Sequence, residues 1–272
     1  MKSIDNIPEL RRLWRLCFDA DNAFLDLFFG EGFRLCNSYV LENDNGTVSA
    51  MSIFPVQYKG HVGGYIYGVC TDPMHRGHHY ASTLMHEVEQ FYRQNKAADF
   101  LFLRPATHSL FGYYREQGFT YNIYRHRDIL SIPMIPAELE IQQLTAKRYH
   151  TIRHRFNYTR GMIEWSEDMC SYILSYIRYC QGHAVEINGG ESYLLSYPDP
   201  ENQEIIICEE TGVDDTGYTI PLILSTLRIL YPNAVKANIT LPAYSENKEE
   251  YLLCKPLSFS PENFALFSFA ME

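Results

Sequence analysis

The chain of 272 residues is poor in positive charge and has no long apolar run. Lys and Arg number 23 against 33 Asp and Glu, which leaves a formal net charge of -10 and a pI near 5.5. Such a surface repels a phosphate backbone, so nucleic acid is not an expected partner, whereas a cationic amine is attracted. No stretch of 18 apolar residues occurs, and the opening MKSIDNIPELRR places charges where a signal peptide needs its apolar segment. Neither export nor membrane insertion is expected. The cysteines, Cys17, Cys36, Cys70, Cys170, Cys180, Cys208 and Cys254, include no C-x-x-C pair. That removes the usual zinc and redox spacings and suits a reducing cytoplasm. Core material is plentiful by contrast: 46% apolar and 21% charged residues describe a packed globular chain rather than a disordered one. At this length one large domain or two smaller ones are open, with two favoured.

Apolar spacing supplies the elements. Leu10, Leu13, Trp14, Cys17 and Phe18 recur at three and four, and Phe24, Leu25, Phe28 and Phe29 repeat the pattern after Asp21-Asn22, so two short amphipathic helices are expected. Segments near 38–41, 48–58 and 64–71, divided by Asn43-Asp44-Asn45-Gly46 and Lys59-Gly60, read as an antiparallel meander. The stripe of Ala81, Leu84, Met85, Val88, Phe91 and Tyr92 predicts a helix from about 78 to 95, its start marked by Pro73. The run 100–103, apolar on both faces, follows as a buried strand parallel to the one before that helix. An amphipathic stretch from 109 to 117, ended by Gly118, and an alternating segment from 120 to 130 complete this half. Pro133 and Pro136 read as a linker, dividing the chain into domains 1–132 and 138–272. Strands at 184–187, 193–197 and 204–208, a helix at 220–230 and a strand at 235–241 then echo the first half.

The chemistry concentrates between Tyr65 and Ala81, where a strand, a Pro-containing turn and a helix start follow one another directly. The first amides of a helix lack intrahelical partners and sit at its positive end, so a pyrophosphate can be gripped there by backbone alone. Arg76 and the small Gly77 serve the same use. His75, His78, His79 and His86 crowd the region, but no carboxylate or cysteine completes a ligand set nearby, so no metal is expected.

The stretch resembles the GNAT acetyltransferase superfamily, whose acetyl-CoA motif is Arg or Gln, two residues, Gly, one residue, then Gly or Ala, directly after a strand. Arg76 and Ala81 fall on the first and last positions, and His79 stands where the family carries glycine. The sequence LFGYYREQGF at 110–119 resembles the family's later helix, with Tyr114 on its tyrosine. The phrase GVCTDPMHR at 68–76, with a further domain behind it, is similar to the tandem, Eis-type branch, whose second domain lacks the CoA loop. Glu209, Glu210, Asp214 and Asp215 after the corresponding strand suit that description.

The resemblance implies an α/β (α+β) GNAT fold, a mixed and mostly antiparallel sheet flanked by helices, followed by a second, degenerate GNAT-like domain. It implies an N-acetyltransferase moving the acetyl group of acetyl-CoA directly to a primary amine. Val69, Cys70, Thr71, Arg76, Gly77, His78, His79, Tyr80 and Ala81 would hold the cosubstrate, with a backbone N–H near Val69 or Cys70 meeting the oxyanion. Tyr114 would protonate the departing thiolate. Because the Eis-type chain terminus reaches the active site, Glu272 is the candidate base. The expected partner is a small-molecule amine, without nucleic acid, membrane or metal, and a homo-oligomer is left open. Two rivals also stay open: a non-catalytic acyl-CoA-binding protein, allowed by His79, and a tRNA-dependent Fem-type aminoacyltransferase, allowed by the two-domain layout.

Overall fold

The computed structural model describes residues 2–3, 7–44, 46–157, 162–214, 217–241 and 248–259; Glu272 lies outside the described residues. They fall into two units, one built from Met1–Asn122 together with the stretch that begins at Leu252, the other from Ile123–Tyr251.

In the first unit, strand β1 (Lys2–Ser3) precedes helix α1 (Ile7–Phe18), and Asp21 caps α2 (Asn22–Leu27) by accepting the Phe24 N–H at 2.7 Å. Leu10, Leu13 and Trp14 form the buried stripe of α1, and the Trp14 ring stacks on Phe28 with centroids 4.1 Å apart. Strands β2 (Asn37–Asn43), β3 (Gly46–Tyr58) and β4 (His61–Thr71) form the expected meander. Its second turn places both Lys59 and Gly60 at positive φ, the arrangement a two-residue hairpin favours. Helix α3 (Tyr80–Gln94) then crosses over to β5 (Phe100–Leu103), which pairs with β4 in parallel, and α4 (Ser109–Glu116) follows. The other side of β5 pairs antiparallel with a strand from far along the chain, Lys248–Pro256, from Leu103↔Leu253 to Phe100↔Pro256. Helix α3 buries Leu84, Met85, Val88 and Tyr92 on Ile53, Ile66, Leu101, Leu103 and Leu253, with Phe111 and Tyr114 of α4 in the same cluster. Each large apolar side chain so buried contributes about 1.5–3 kcal/mol, and Leu84→Ala would cost about 2–5 kcal/mol.

The second unit repeats the order of meander, helix and parallel strand. Its elements are β6 (Tyr121–Ser131), β7 (Ile141–Gln143), α5 (Ala146–Asn157), α6 (Glu167–Tyr179), β8 (His183–Ile187), β9 (Ser192–Pro198), β10 (Ile205–Thr211), α7 (Ile220–Leu230) and β11 (Lys236–Leu241). The distant strand Lys248–Pro256 is β12. Strands β8, β9 and β10 are antiparallel, while β10 and β11 are parallel across α7, in the order β6-β11-β10-β9-β8-β7. Val185, Leu194, Ile206, Cys208, Ile223, Leu227 and Ile239 form its core. The Pro133–Pro136 region, read from composition as a linker, is tied into this unit by Ile132 N–H on the Val235 carbonyl at 3.0 Å and Arg228 Nε on the Pro133 carbonyl at 2.7 Å. Among the described residues no helix is long and apolar enough to cross a membrane.

Candidate active site

Strands β4 and β5 pair only from Gly63↔Phe100 to Ile66↔Leu103, although β4 continues to Thr71. Beyond Ile66 the two strands part. On its other edge β4 stays with β3 through a register shift: Ala50 faces Cys70 and Ser52 faces Tyr67, leaving Gly68 and Val69 opposite the single residue Met51. This is a bulge. Gly68 has φ of 63°, and a Cβ there would lie 2.6 Å from the Trp14 ring, so both backbone and space demand glycine. Beyond the bulge the Ser49 hydroxyl donates to the Cys70 carbonyl at 2.8 Å. The backbone of Val69, Cys70 and Thr71 thus borders the split between strands.

The turn that follows is held from below. Asp72 accepts the Met74 N–H at 3.0 Å, capping the single 3-10 turn Pro73–His75, and Arg12 Nη1 of α1 reaches its carboxylate at 3.3 Å. The Met74 amide, and then Arg12, keep this carboxyl below the usual range. Asp72 is the only acidic residue from 72 to 80, and with its charge committed to these partners the turn can receive an anion. Arg76 is exposed, its Nε 3.4 Å from the Thr71 carbonyl. Gly77, with φ of 81°, has no atom within 4 Å of where a Cβ would stand. His79 is left-handed, φ 61° and ψ 17°, and serves as the N-cap of α3. Its carbonyl takes the Thr83 N–H at 2.9 Å.

The helix therefore begins at Tyr80 rather than near 78, and Pro73 opens a separate turn rather than α3, because the left-handed residue interrupts helical backbone between them. The same φ explains why the motif prefers glycine where this chain has His79. Amides of Tyr80, Ala81 and Ser82 in the first turn of α3 have no intrahelical acceptor. With Arg76 beside them and open space over Gly77, these residues fit a pyrophosphate. Among the described residues no group of three or more His, Cys, Asp or Glu is arranged to hold a metal, and His86 Nε2 is bonded instead to Gln90 at 2.8 Å.

Tyr114 lies in the core cluster of α3 and α4, 8% exposed. Burial pushes its hydroxyl above the ordinary tyrosine range, with Tyr113 and Cys70 adding to the effect, so it remains protonated at any physiological pH. Val69, near the end of β4, packs against the same cluster. Its neighbour Tyr113 shares a hydrogen bond of 3.3 Å with the Ser82 hydroxyl, linking α4 to the first turn of α3. Arg12, Ser49 and Tyr113 were not legible as site residues, since their partners lie 60, 21 and 31 positions away and no local pattern marks them.

The model of an acetyltransferase (GNAT) domain matches residues 3–122. The chain carries a GNAT acetyltransferase domain. It is thus an acyltransferase, and solved structures share its fold across both units. A GCN5-related N-acetyltransferase from Kribbella flavida is 15% identical with a TM-score of 0.71, covering 94% of this chain and 71% of that one. A protein from Enterococcus faecalis V583, described as a probable N-acyltransferase, is 13% identical at a TM-score of 0.73, with coverage of 94% and 71%. Eis1 from Mycobacterium abscessus is 9% identical at 0.65, with coverage of 94% and 73%. At these identities the likeness is one of fold. No curated protein matches the chain.

The second unit carries acidic residues around the corresponding strand and helix start. Before α7, Asp214 accepts the Thr219 N–H at 3.1 Å and its hydroxyl at 3.3 Å, and Pro221 removes an amide from the first helical turn. On β10, Glu209 is bonded by Arg127 at 3.0 Å and Tyr197 at 3.2 Å, while Glu210 pairs with Arg153 at 2.9 Å. A carboxylate beside the start of α7 opposes a phosphate there.

Proposed function

We propose that the GNAT domain carries the acetyl group of acetyl-CoA to the primary amine of a small molecule in one direct step. The observation that supports this reading is the parting of β4 from β5 after Ile66 and Leu103, followed at once by the turn 76–81. That order of features would suit a thioester arm lying beside its phosphates.

When bound, acetyl-CoA supplies an activated carbonyl. Arg76 and the amides at the start of α3 hold the pyrophosphate, with Gly77, His78 and His79 shaping the loop. A backbone N–H of Val69 or Cys70 receives the negative charge that develops on the carbonyl oxygen as the amine attacks. The C–N bond forms, the C–S bond breaks, and Tyr114 gives its proton to the sulfur. The amine loses a proton to a base, for which we retain Glu272. The net charge of -10 favours a cationic acceptor, and free cysteines suit the cytoplasm.

Thiol release from acetyl-CoA, measured against polyamines, aminoglycosides and peptide N-termini, tests the reading. Release that depends on the amine is expected. Binding of acetyl-CoA with no release on any amine would overturn it in favour of a binding protein, and an RNA shift at stated salt would point to the Fem-type reaction.

A further inference from the structure

Serine and threonine in a helix commonly return the hydroxyl to the carbonyl four residues back. Thr151 bonds the Lys147 carbonyl at 2.9 Å in this way, and Thr226 bonds the Leu222 carbonyl at 2.9 Å. Ser82 differs. It is the third residue of α3, and among the described residues its hydroxyl is bonded to the Tyr113 hydroxyl of α4, at 3.3 Å. Both side chains are partly exposed.

Two hydroxyls carry two protons, and the bond between them uses one. The other is left to donate. Helical side chains lean toward the N-terminus of their helix, so Ser82 Oγ leans over the turn that presents the amides of Tyr80, Ala81 and Ser82. No acidic residue stands from 73 to 86, so no carboxylate of that stretch takes the spare proton.

We propose that the Ser82–Tyr113 pair is a further phosphate ligand: Tyr113 donates to Ser82 Oγ, and Ser82 donates its own proton to the pyrophosphate of the cosubstrate. This rests on the acetyl-CoA reading above and adds two side chains that the backbone grip does not use.

The direction of the internal bond follows from acidity. A phenol is a stronger acid than an aliphatic alcohol and so the better donor, while the alcohol oxygen is the better acceptor. A bond accepted at Ser82 Oγ turns that hydroxyl's proton away from α4 and polarises it, and an anion then receives it in a charge-assisted bond. Tyr113 is held for this task by packing. Its ring lies against the core shared by α3 and α4, and edge-on to Tyr114 with centroids 5.1 Å apart. Tyr113 is therefore a positioning residue, and Ser82 is the one that touches the ligand.

The test titrates the full chain with acetyl-CoA by calorimetry. Ser82→Ala should weaken binding by about 10- to 100-fold, the worth of one hydrogen bond to a charged group. KM for acetyl-CoA should rise with it while kcat holds, because the bond is made alike in the ground and transition states. Ser82→Thr, which keeps a hydroxyl, should restore binding. Tyr113→Phe keeps the ring and should weaken binding by about 3- to 10-fold, but it should add nothing in the Ser82→Ala background, where no oxygen is left to orient. Additive losses in the double variant would overturn the role given to Tyr113. Acetyl-pantetheine carries the same thioester without the pyrophosphate, so its kcat/KM should not respond to Ser82→Ala. An equal loss with both thioesters would make Ser82 a packing residue and overturn the proposal, as would a Ser82→Ala chain that binds acetyl-CoA as tightly as the unsubstituted one. An unsubstituted chain that binds no acetyl-CoA would overturn the underlying reading, and the pair with it.

Discussion

His79 holds a backbone conformation that L-residues adopt at a cost. The left-handed region disfavours them by about 1–2 kcal/mol, while glycine gives up about 0.5–1 kcal/mol of unfolded-state freedom on folding. His79→Gly should therefore stabilise the chain by about 0.5–1 kcal/mol and leave acetyl-CoA affinity intact, as judged by denaturant unfolding and calorimetry. Weaker binding in that variant would mean that the imidazole itself meets the phosphates. Tyr114→Phe keeps the buried ring and removes only the hydroxyl. If that hydroxyl delivers the proton to sulfur, kcat should drop by about 100-fold with little change in acetyl-CoA affinity. Unchanged kcat, with chemistry shown to limit the rate, would leave Tyr114 a packing residue. Both residues were legible as positions in a motif. What the motif could not show was Arg12 neutralising Asp72 from another helix, or Gly68 yielding to the Trp14 ring, because each depends on contacts that only the folded sheet creates.

At the scale of elements, the opening turn of α3 and the middle of β10 make opposite demands on charge. A carboxylate at Ala81→Asp would sit in the first turn of α3 against the incoming phosphates, so acetyl-CoA binding should vanish from the calorimeter while the helix still forms. On β10 the carboxylate is native and buried: Glu210 and Arg153 are 0% and 4% exposed and bonded to each other. Glu210→Gln leaves the guanidinium without its counter-charge and should cost about 3–5 kcal/mol in denaturant unfolding. A cost below about 1 kcal/mol would show that water has access to the pair. Legibility differs as sharply between elements. Helices with a polar face, α1 and α3, announced themselves by spacing. The α6 helix did not, because Met169, Cys170, Tyr172, Ile173, Leu174, Tyr176 and Ile177 bury it on most of its circumference and leave no clean stripe to read. The bulge in β4 was equally silent, since a register shift against β3 leaves the alternation along β4 alone intact enough to read as plain strand.

For the molecule as a whole, the boundary that composition suggests at Pro133–Pro136 differs from the division by contacts, which falls after Asn122 and again after Tyr251. No local pattern reveals that the first unit borrows its last strand. Leu253 and Cys254 are fully buried beside β5, Lys255 pairs with Glu89, and Arg93 donates to the carbonyl of Leu257. A chain stopped after Tyr251 should lose the cooperative unfolding transition of its GNAT unit and with it acetyl-CoA binding, measured by calorimetry. Full-length protein should bind one acetyl-CoA per chain, because Asp214 already opposes an anion at the start of α7. A second equivalent would overturn that.

The late strand also sets a schedule. A ribosome must add every residue of the second unit before β12 emerges, so the nascent GNAT unit waits with one edge of β5 unpaired and the apolar face of Leu101 and Leu103 short of a neighbour. Synthesis speed and chaperone supply, rather than equilibrium stability, would then govern how much of this protein a cell recovers in active form, with slower elongation through the second unit lengthening the exposed interval.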